Sequence, residues 1–388
     1  MLTKMSSRSP DGAVYFLNND PDDVMIITAS IDRSGSLRLD RAVAAGGRGL
    51  HGNSTNGMMG NDPLFSQGAI DVSIKKNVLG NVNPGSNTVS LFHIDPRKPT
   101  NITPIGYPVS SEGEFPISVA FNSDGSRLCV LNGGAVDGVH CYTVDTQKGL
   151  LPLPNTLRPI GINQTTPAFA GATLSHVLFS ADDRTLFASY KGLDASRPGF
   201  VAAWAVAADG ALSARYRTIP LPNGGVVGFG MATVRGRDAL VVTDPGVGVH
   251  VLDLSGANRS SLVAPPGETA SCWAAYSELT GSYYATDAGA AVVHEIAVDG
   301  DLNAKVIGNF NLTAMAGPLD SQTAVVRNKA YLYVLAPGAG AVEVLALEGV
   351  GKAKLMRSVD IIGTAQAAGL TIQKFNLQGM ATYYTAAN

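Results

Sequence analysis

The stretch EFPISVAFNSDGSRLCVLNGGAVDGVHCYTVD, residues 114–145, decides the fold. ISVAF alternates small or polar residues with large apolar ones, the two-residue period of a strand with one buried face. Asn122-Ser123-Asp124-Gly125 is a turn signal, because Asp and Gly tolerate the backbone angles of a tight reversal. RLCVLN is a mostly apolar run long enough for one buried strand, Gly133 and Gly134 break it, and VHCYTV resumes the alternation. Such a unit of about 30 residues cannot bury both of its faces alone, so it has to stack on copies of itself.

The copies are present. Working outward, comparable units occupy 67–95, 175–207, 230–254, 272–298 and 322–347, and a first unit runs over 13–43. Most carry a fourth, outer segment such as NITPIG (101–106) or KVIGNF (305–310). A four-stranded unit recurring about every 45 residues predicts an all-β, seven-bladed β-propeller in one domain spanning 1–388. The expected blades are roughly 13–43 with 375–384, 65–106, 114–160, 173–219, 228–263, 270–311 and 320–361. The first unit lacks an inner strand, and FNLQGMATYY (375–384) supplies one with no partners after it. The ring is therefore expected to close on this C-terminal strand, which removes an open seam. A parallel solenoid is the alternative, but its repeats are shorter and carry fewer hairpin signals. Residues 44–63 have no periodicity and form a long excursion, of the kind that is usually functional or disordered.

Composition narrows the function. A net charge of −3 with no basic stripe gives no case for nucleic acid. No apolar run reaches roughly 18 residues, so no membrane-spanning helix is expected. The start MLTKMSSRSPDG lacks the apolar core of a signal peptide. Five Asn-x-Ser/Thr sequons, at Asn53, Asn101, Asn163, Asn258 and Asn311, instead favour a secreted glycoprotein whose signal is absent from this chain; a cytoplasmic location is the alternative. Of three cysteines, Cys129 and Cys141 flank the 133–138 loop almost symmetrically, which places them opposite one another in a hairpin and makes a cross-strand disulfide possible. The plain alternative is two small buried residues that never bond.

FSQGAIDV (65–72), PGSNTVSLFHID (84–95), SEGEFPISVAFNSDGSRLCVLNGGAVDGVHCY (111–142) and SCWAAY (271–276) resemble the lactonase-type seven-bladed propellers. That family includes bacterial 6-phosphogluconolactonase and fungal 3-carboxy-cis,cis-muconate lactonizing enzyme, and the strings look most like its fungal, often secreted branch, and less closely like propellers of fungal secondary metabolism. The resemblance implies a propeller with a channel site built from His, Glu and Arg. Only His176, in SHVLFSADD, matches such an inner-strand position; no Glu or Arg falls in an equivalent slot.

The first residues of the inner strands should face a channel mouth. Alignment on the second strand gives Ser118, His176, Gly230, Trp273 and Gln322 as a ring, with Gln67 and Gln378 near the same level. Ser, His, Trp and Gln without a charged majority suit a small-molecule pocket with a stacking face and neutral donors. His176 is the candidate proton-transfer group, Trp273 a stacking platform or a channel plug, and Gln67, Gln322 and Gln378 orienting amides or mutually satisfied polar groups. Glu112 and Glu114 precede an inner strand and either reach the mouth or stay solvated. Arg197 in the LDASRPGF insertion is a candidate carboxylate ligand, and His51, Met58 and Met59 a candidate lid. The six histidines are scattered over the blades, so no metal site and no cofactor are expected, and there is no nucleophile elbow, phosphate loop or dinucleotide fingerprint. The expected function is a metal-independent cyclase or isomerase acting on a small organic molecule in the channel, as in a secondary-metabolite cyclisation or cycloaddition. A lactone hydrolase or muconate-lactonizing enzyme, and a non-catalytic secreted binding propeller, are the alternatives.

Overall fold

A computed structural model describes residues 10–54 and 60–384. Met58 and Met59 lie outside the described residues. Seven antiparallel sheets are arranged as the blades of a propeller. Blade 1 is closed by the C-terminal strand Leu377–Tyr384, which pairs with Gly12–Asn19, followed outward by Val24–Ile31 and Leu37–Ala44. The other inner strands are Ile70–Ser73, Pro116–Phe121, Leu174–Phe179, Met231–Thr233, Ser271–Ser277 and Ser321–Val326, and each is followed by its own meander. Blade 2 carries an extra two-residue strand, Val109–Ser110, on its third strand. A short α-helix, Ile362–Ala367, and a 3-10 turn, Lys374–Asn376, precede the closing strand.

Alternate residues of each strand face the two neighbouring blades, so the core lies between blades rather than around one centre. Val342 and Val344 of blade 7 pack toward Val14 and Phe16 of blade 1. Leu345 and Leu347 pack the other way, against Val293 and Tyr284 of blade 6. Second strands end on polar residues that brace the loops above them. Asp244 accepts the Val226 and Val227 N–H groups at 2.7 and 2.9 Å and a contact from His250 Nε2 at 3.1 Å. Asp287 does the same for Thr269 and Ala270, at 2.7 and 3.0 Å. These two buried carboxylates are thereby satisfied by loop N–H groups, as buried polar groups must be.

In blade 3, Cys129 lies directly opposite Cys141 and the two are joined in a disulfide. Cys272 is free and buried, and that burial pushes its thiol well above the ordinary range. Among the described residues, no helix is long and apolar enough to cross a membrane.

Candidate functional site

Residues 62–68 run across the channel at the starts of the inner strands and bond to five blades. The Gln67 amide pairs with the backbone of Ala274, Nε2 donating to its carbonyl at 2.9 Å and Oε1 accepting its N–H at 3.0 Å. The Ser66 carbonyl accepts Trp273 Nε1 and Gln378 Nε2, each at 2.9 Å, and the Ser66 hydroxyl donates to the Ile117 carbonyl at 2.8 Å. The Gly68 N–H donates to Asp320 at 3.0 Å, and the Gln67 N–H donates to the Ser175 carbonyl at 2.9 Å. Gly230 makes room for this strap, since a Cβ there would lie 2.2 Å from Gln67 Oε1. Gly68 needs its freedom too, with φ at +81°.

A buried lysine pins the strap. Lys191 Nζ donates to the Phe65 carbonyl at 2.5 Å and sits 5.4 and 4.8 Å from the Phe65 and Phe229 ring centroids. Burial pulls the ammonium below its usual range, and the nearby Asp62 carboxylate opposes the shift. Asp62 is pushed the opposite way by its own enclosure.

Below the strap lies a cavity of about 320 Å³ lined by Gln67 and Gly68 of the strap and by residues of the inner strands. It is flanked at the turns by the exposed pair Arg235–Glu278, whose charged atoms are 2.6 Å apart. The chemistry-bearing groups are His176, Asp71, Asp320, Gln322, Tyr276 and Thr233. Met231 N–H donates to His176 Nδ1 at 3.0 Å, so the ring proton sits on Nε2. Burial pushes this imidazole down to about 3, which keeps it neutral in the ordinary range. Asp71 takes N–H groups of Phe121 and Val72 at 2.8 Å each, yet its enclosure pushes the carboxyl up to about 6. The residue retains some exposed surface while its carboxylate is surrounded by protein. Asp320 is pushed up to about 7 by burial, against hydrogen bonds from Gly68 and Gly379.

The ring expected at the strand starts is thus divided. His176, Gln67 and Gln322 line the cavity. Ser118 is buried, with its hydroxyl accepting Val177 N–H at 3.1 Å. Trp273 packs edge-on against Phe229 at 5.0 Å, and Gln378 is buried between Ser66 and Asp320; neither lines the cavity. Glu114 accepts the Thr166 hydroxyl, and Arg197 pairs with Asp194 of its own loop at 3.0 Å. Neither these two nor Glu112 reaches the cavity. His51 bonds Asn376 at 2.8 Å, so the described part of the excursion is tied to the propeller body. Asp71 in AIDVSI and Asp320 in PLDSQ were missed. Their signal was a carboxylate within or beside an apolar inner strand. Among the described residues, no cluster of three His, Cys, Asp or Glu side chains is placed to hold a metal ion.

No protein-family model matches this sequence, and no curated protein sequence matches it. Solved structures do share the fold. A functionally unknown protein from Desulfotomaculum acetoxidans is 11% identical over 97% of this chain and 100% of its own, with a TM-score of 0.66. The periplasmic gluconolactonase of Pseudomonas aeruginosa is 16% identical over 90% of this chain and 96% of its own, with a TM-score of 0.64. A putative 6-phosphogluconolactonase from Bacteroides fragilis is 12% identical over 97% of this chain and 98% of its own, with a TM-score of 0.62. The neighbours thus include lactonase-like propellers, and at these identities the likeness is one of fold.

Proposed function

We propose that this propeller is an enzyme acting on a small, neutral organic molecule in the cavity below the strap, and that the reaction the site supports best is the opening or closing of a cyclic ester. The observation that carries this is the pairing, in one cavity, of Asp71 with its raised pKa and His176 with its proton fixed on Nε2. Two titratable groups whose surroundings push them into different roles mark an acid–base site. Near neutrality Asp71 is mostly ionised and takes a proton from water as that water attacks the carbonyl carbon. His176 Nε2–H donates to the carbonyl oxygen, where negative charge develops. The bond from the carbonyl carbon to the ring oxygen then breaks, and Asp71 returns its proton to the departing alkoxide. Run backwards, the same steps close the ring. Gln322 and Tyr276 offer hydrogen bonds to ring hydroxyls.

Three carboxyls against one exposed arginine disfavour a phosphorylated ligand, so a neutral lactone is expected over its 6-phospho form. Ring closure without water, by a cyclase or isomerase, is the second reading. It is favoured by Gln322, whose side chain lines the cavity with no hydrogen-bond partner among the described residues and is free to orient a reacting carbonyl.

The test is a panel of γ- and δ-lactones, including gluconolactone and its 6-phosphate, incubated in oxygen-18 water. Wild type is expected to open the neutral lactones with one heavy oxygen in the new carboxylate. Asp71→Asn is expected to lower the rate by at least about 100-fold, the scale of a lost general base. Opening no faster than in buffer, or an unimpaired Asp71→Asn, refutes the reading. An open-chain unsaturated acid incubated in the same water and cyclised with no heavy oxygen gained selects the second one.

A further inference from the structure

On the outer flank of blades 1 and 2, away from the channel, the turn after Ile31 and the loop before Thr100 enclose a groove of about 720 Å³. Its acidic residues are already engaged. Asp11 is bound by Arg327 Nε at 2.8 Å. One oxygen of Asp32 accepts the Ser34 N–H, the Ser34 hydroxyl and the Ser36 N–H, at 2.8, 2.6 and 3.1 Å. Asp40 accepts the Thr100 hydroxyl and has Lys98 at 3.6 Å and Arg41 at 3.8 Å. The groove also holds Arg33, Arg38 and Arg97. None of these three guanidinium groups has a hydrogen-bond or ion-pair partner among the described residues. In a chain with a net charge of −3, three unpaired arginines from two blades converge on one concavity.

We propose that this groove is a binding site for a tetrahedral oxyanion, a free phosphate or sulfate or the terminal group of a phosphate or sulfate ester. Each guanidinium is a planar fork suited to two oxygens at once, and it stays charged at any working pH. A tetrahedral dianion has enough oxygens to serve three such forks, whereas a carboxylate has two. The carboxylates of the groove, being bonded within the protein, hold its walls and leave the arginines to the ligand. Because the arginines are exposed, binding weakens steeply with salt. The site is independent of the acid–base cavity, so the two proposals fail separately.

The experiment is a titration of the whole chain with inorganic pyrophosphate, phosphate and sulfate in the low-millimolar range. It is followed by calorimetry and thermal shift, with chloride and acetate at matched ionic strength as controls. Saturable binding of the tetrahedral anions is expected. It should weaken at least tenfold in the triple variant R33Q/R38Q/R97Q and stay unchanged in Lys305→Gln, on the outer strand of blade 6. All the substituted residues are exposed, so the variants keep the wild-type fold and melting temperature without ligand. A sulfated oligosaccharide distinguishes the source: binding tighter than sulfate assigns the group to a larger chain, and equal binding to a free ion. Equal responses in wild type and triple variant, or an equal effect of acetate, overturn the proposal.

Discussion

Gln67→Ala tests whether the strap is held by the bonds that cross the channel. The substitution removes both bonds between Gln67 and Ala274 and leaves a buried N–H and a buried carbonyl without partners. Each unsatisfied group costs about 1–3 kcal/mol. Alanine has no side-chain freedom to lose on folding, which returns about 1.5–2 kcal/mol. The balance is a destabilisation centred on about 2 kcal/mol. Urea unfolding followed by tryptophan fluorescence measures it, because the Trp273 indole is bonded to Ser66 in the same strap. Gly230→Ala presses on the same amide from the other side, so its cost in the Gln67→Ala background should be smaller than in wild type. A loss below about 0.5 kcal/mol with an unchanged slope against urea would show that the pairing contributes little, and the strap would need another anchor.

Three further outcomes are expected. Lys191→Met leaves the Phe65 carbonyl and the Asp62 carboxylate without their cation and should cost about 3–5 kcal/mol; adding Asp62→Asn should recover part of that loss in a double-mutant cycle measured by urea unfolding. The pH dependence has two opposed parts. His176 titrates at about 3 folded and near 6.5 unfolded, so its contribution is present above about pH 6.5 and is lost as pH falls toward 3. Asp320 titrates at about 7 folded, so its contribution is present below about pH 4 and is lost as pH rises through 7. Melting temperatures of His176→Asn relative to wild type should therefore rise between pH 7 and 4, and those of Asp320→Asn should fall. Replacing Cys129 and Cys141 together by Ala should lower stability by about 2–3 kcal/mol, read from the urea midpoint, for a closed loop of this size.

The fold was legible because its signal is periodic and local. Turns such as Asn122-Ser123-Asp124-Gly125 recur at similar points of each unit, and the orphan strand at 375–384 answers the strand missing from the first unit. The site was legible only in part, for two physical reasons. Register shifts interrupt the inner strands between Leu174 and His176 and between Ser271 and Trp273. A bulge breaks two-residue alternation, so reading by period gave Trp273 the right level along the channel and the wrong facing. The second reason is distance in the chain. Gln67 meets Ala274 across 207 residues, and nothing near either residue announces the pairing. Asp71 carried a local signal, a carboxylate inside an apolar strand, and a search for buried charge would have found it.

The pairing of Leu377–Tyr384 with Gly12–Asn19 also sets a schedule. A ribosome adding about 5–20 residues per second needs roughly 20–80 s to make 388 residues. For nearly all of that interval the N-terminal strand has emerged while its partner does not yet exist. Blades 2 to 7 can stack as they appear, but the ring stays an open arc with an unpaired edge at its N-terminal end. Closure of the ring is therefore deferred until residues 377–384 have been made. The nascent protein's period of greatest exposure to mispairing with other chains lasts from the emergence of Gly12–Asn19 to that of Leu377–Tyr384.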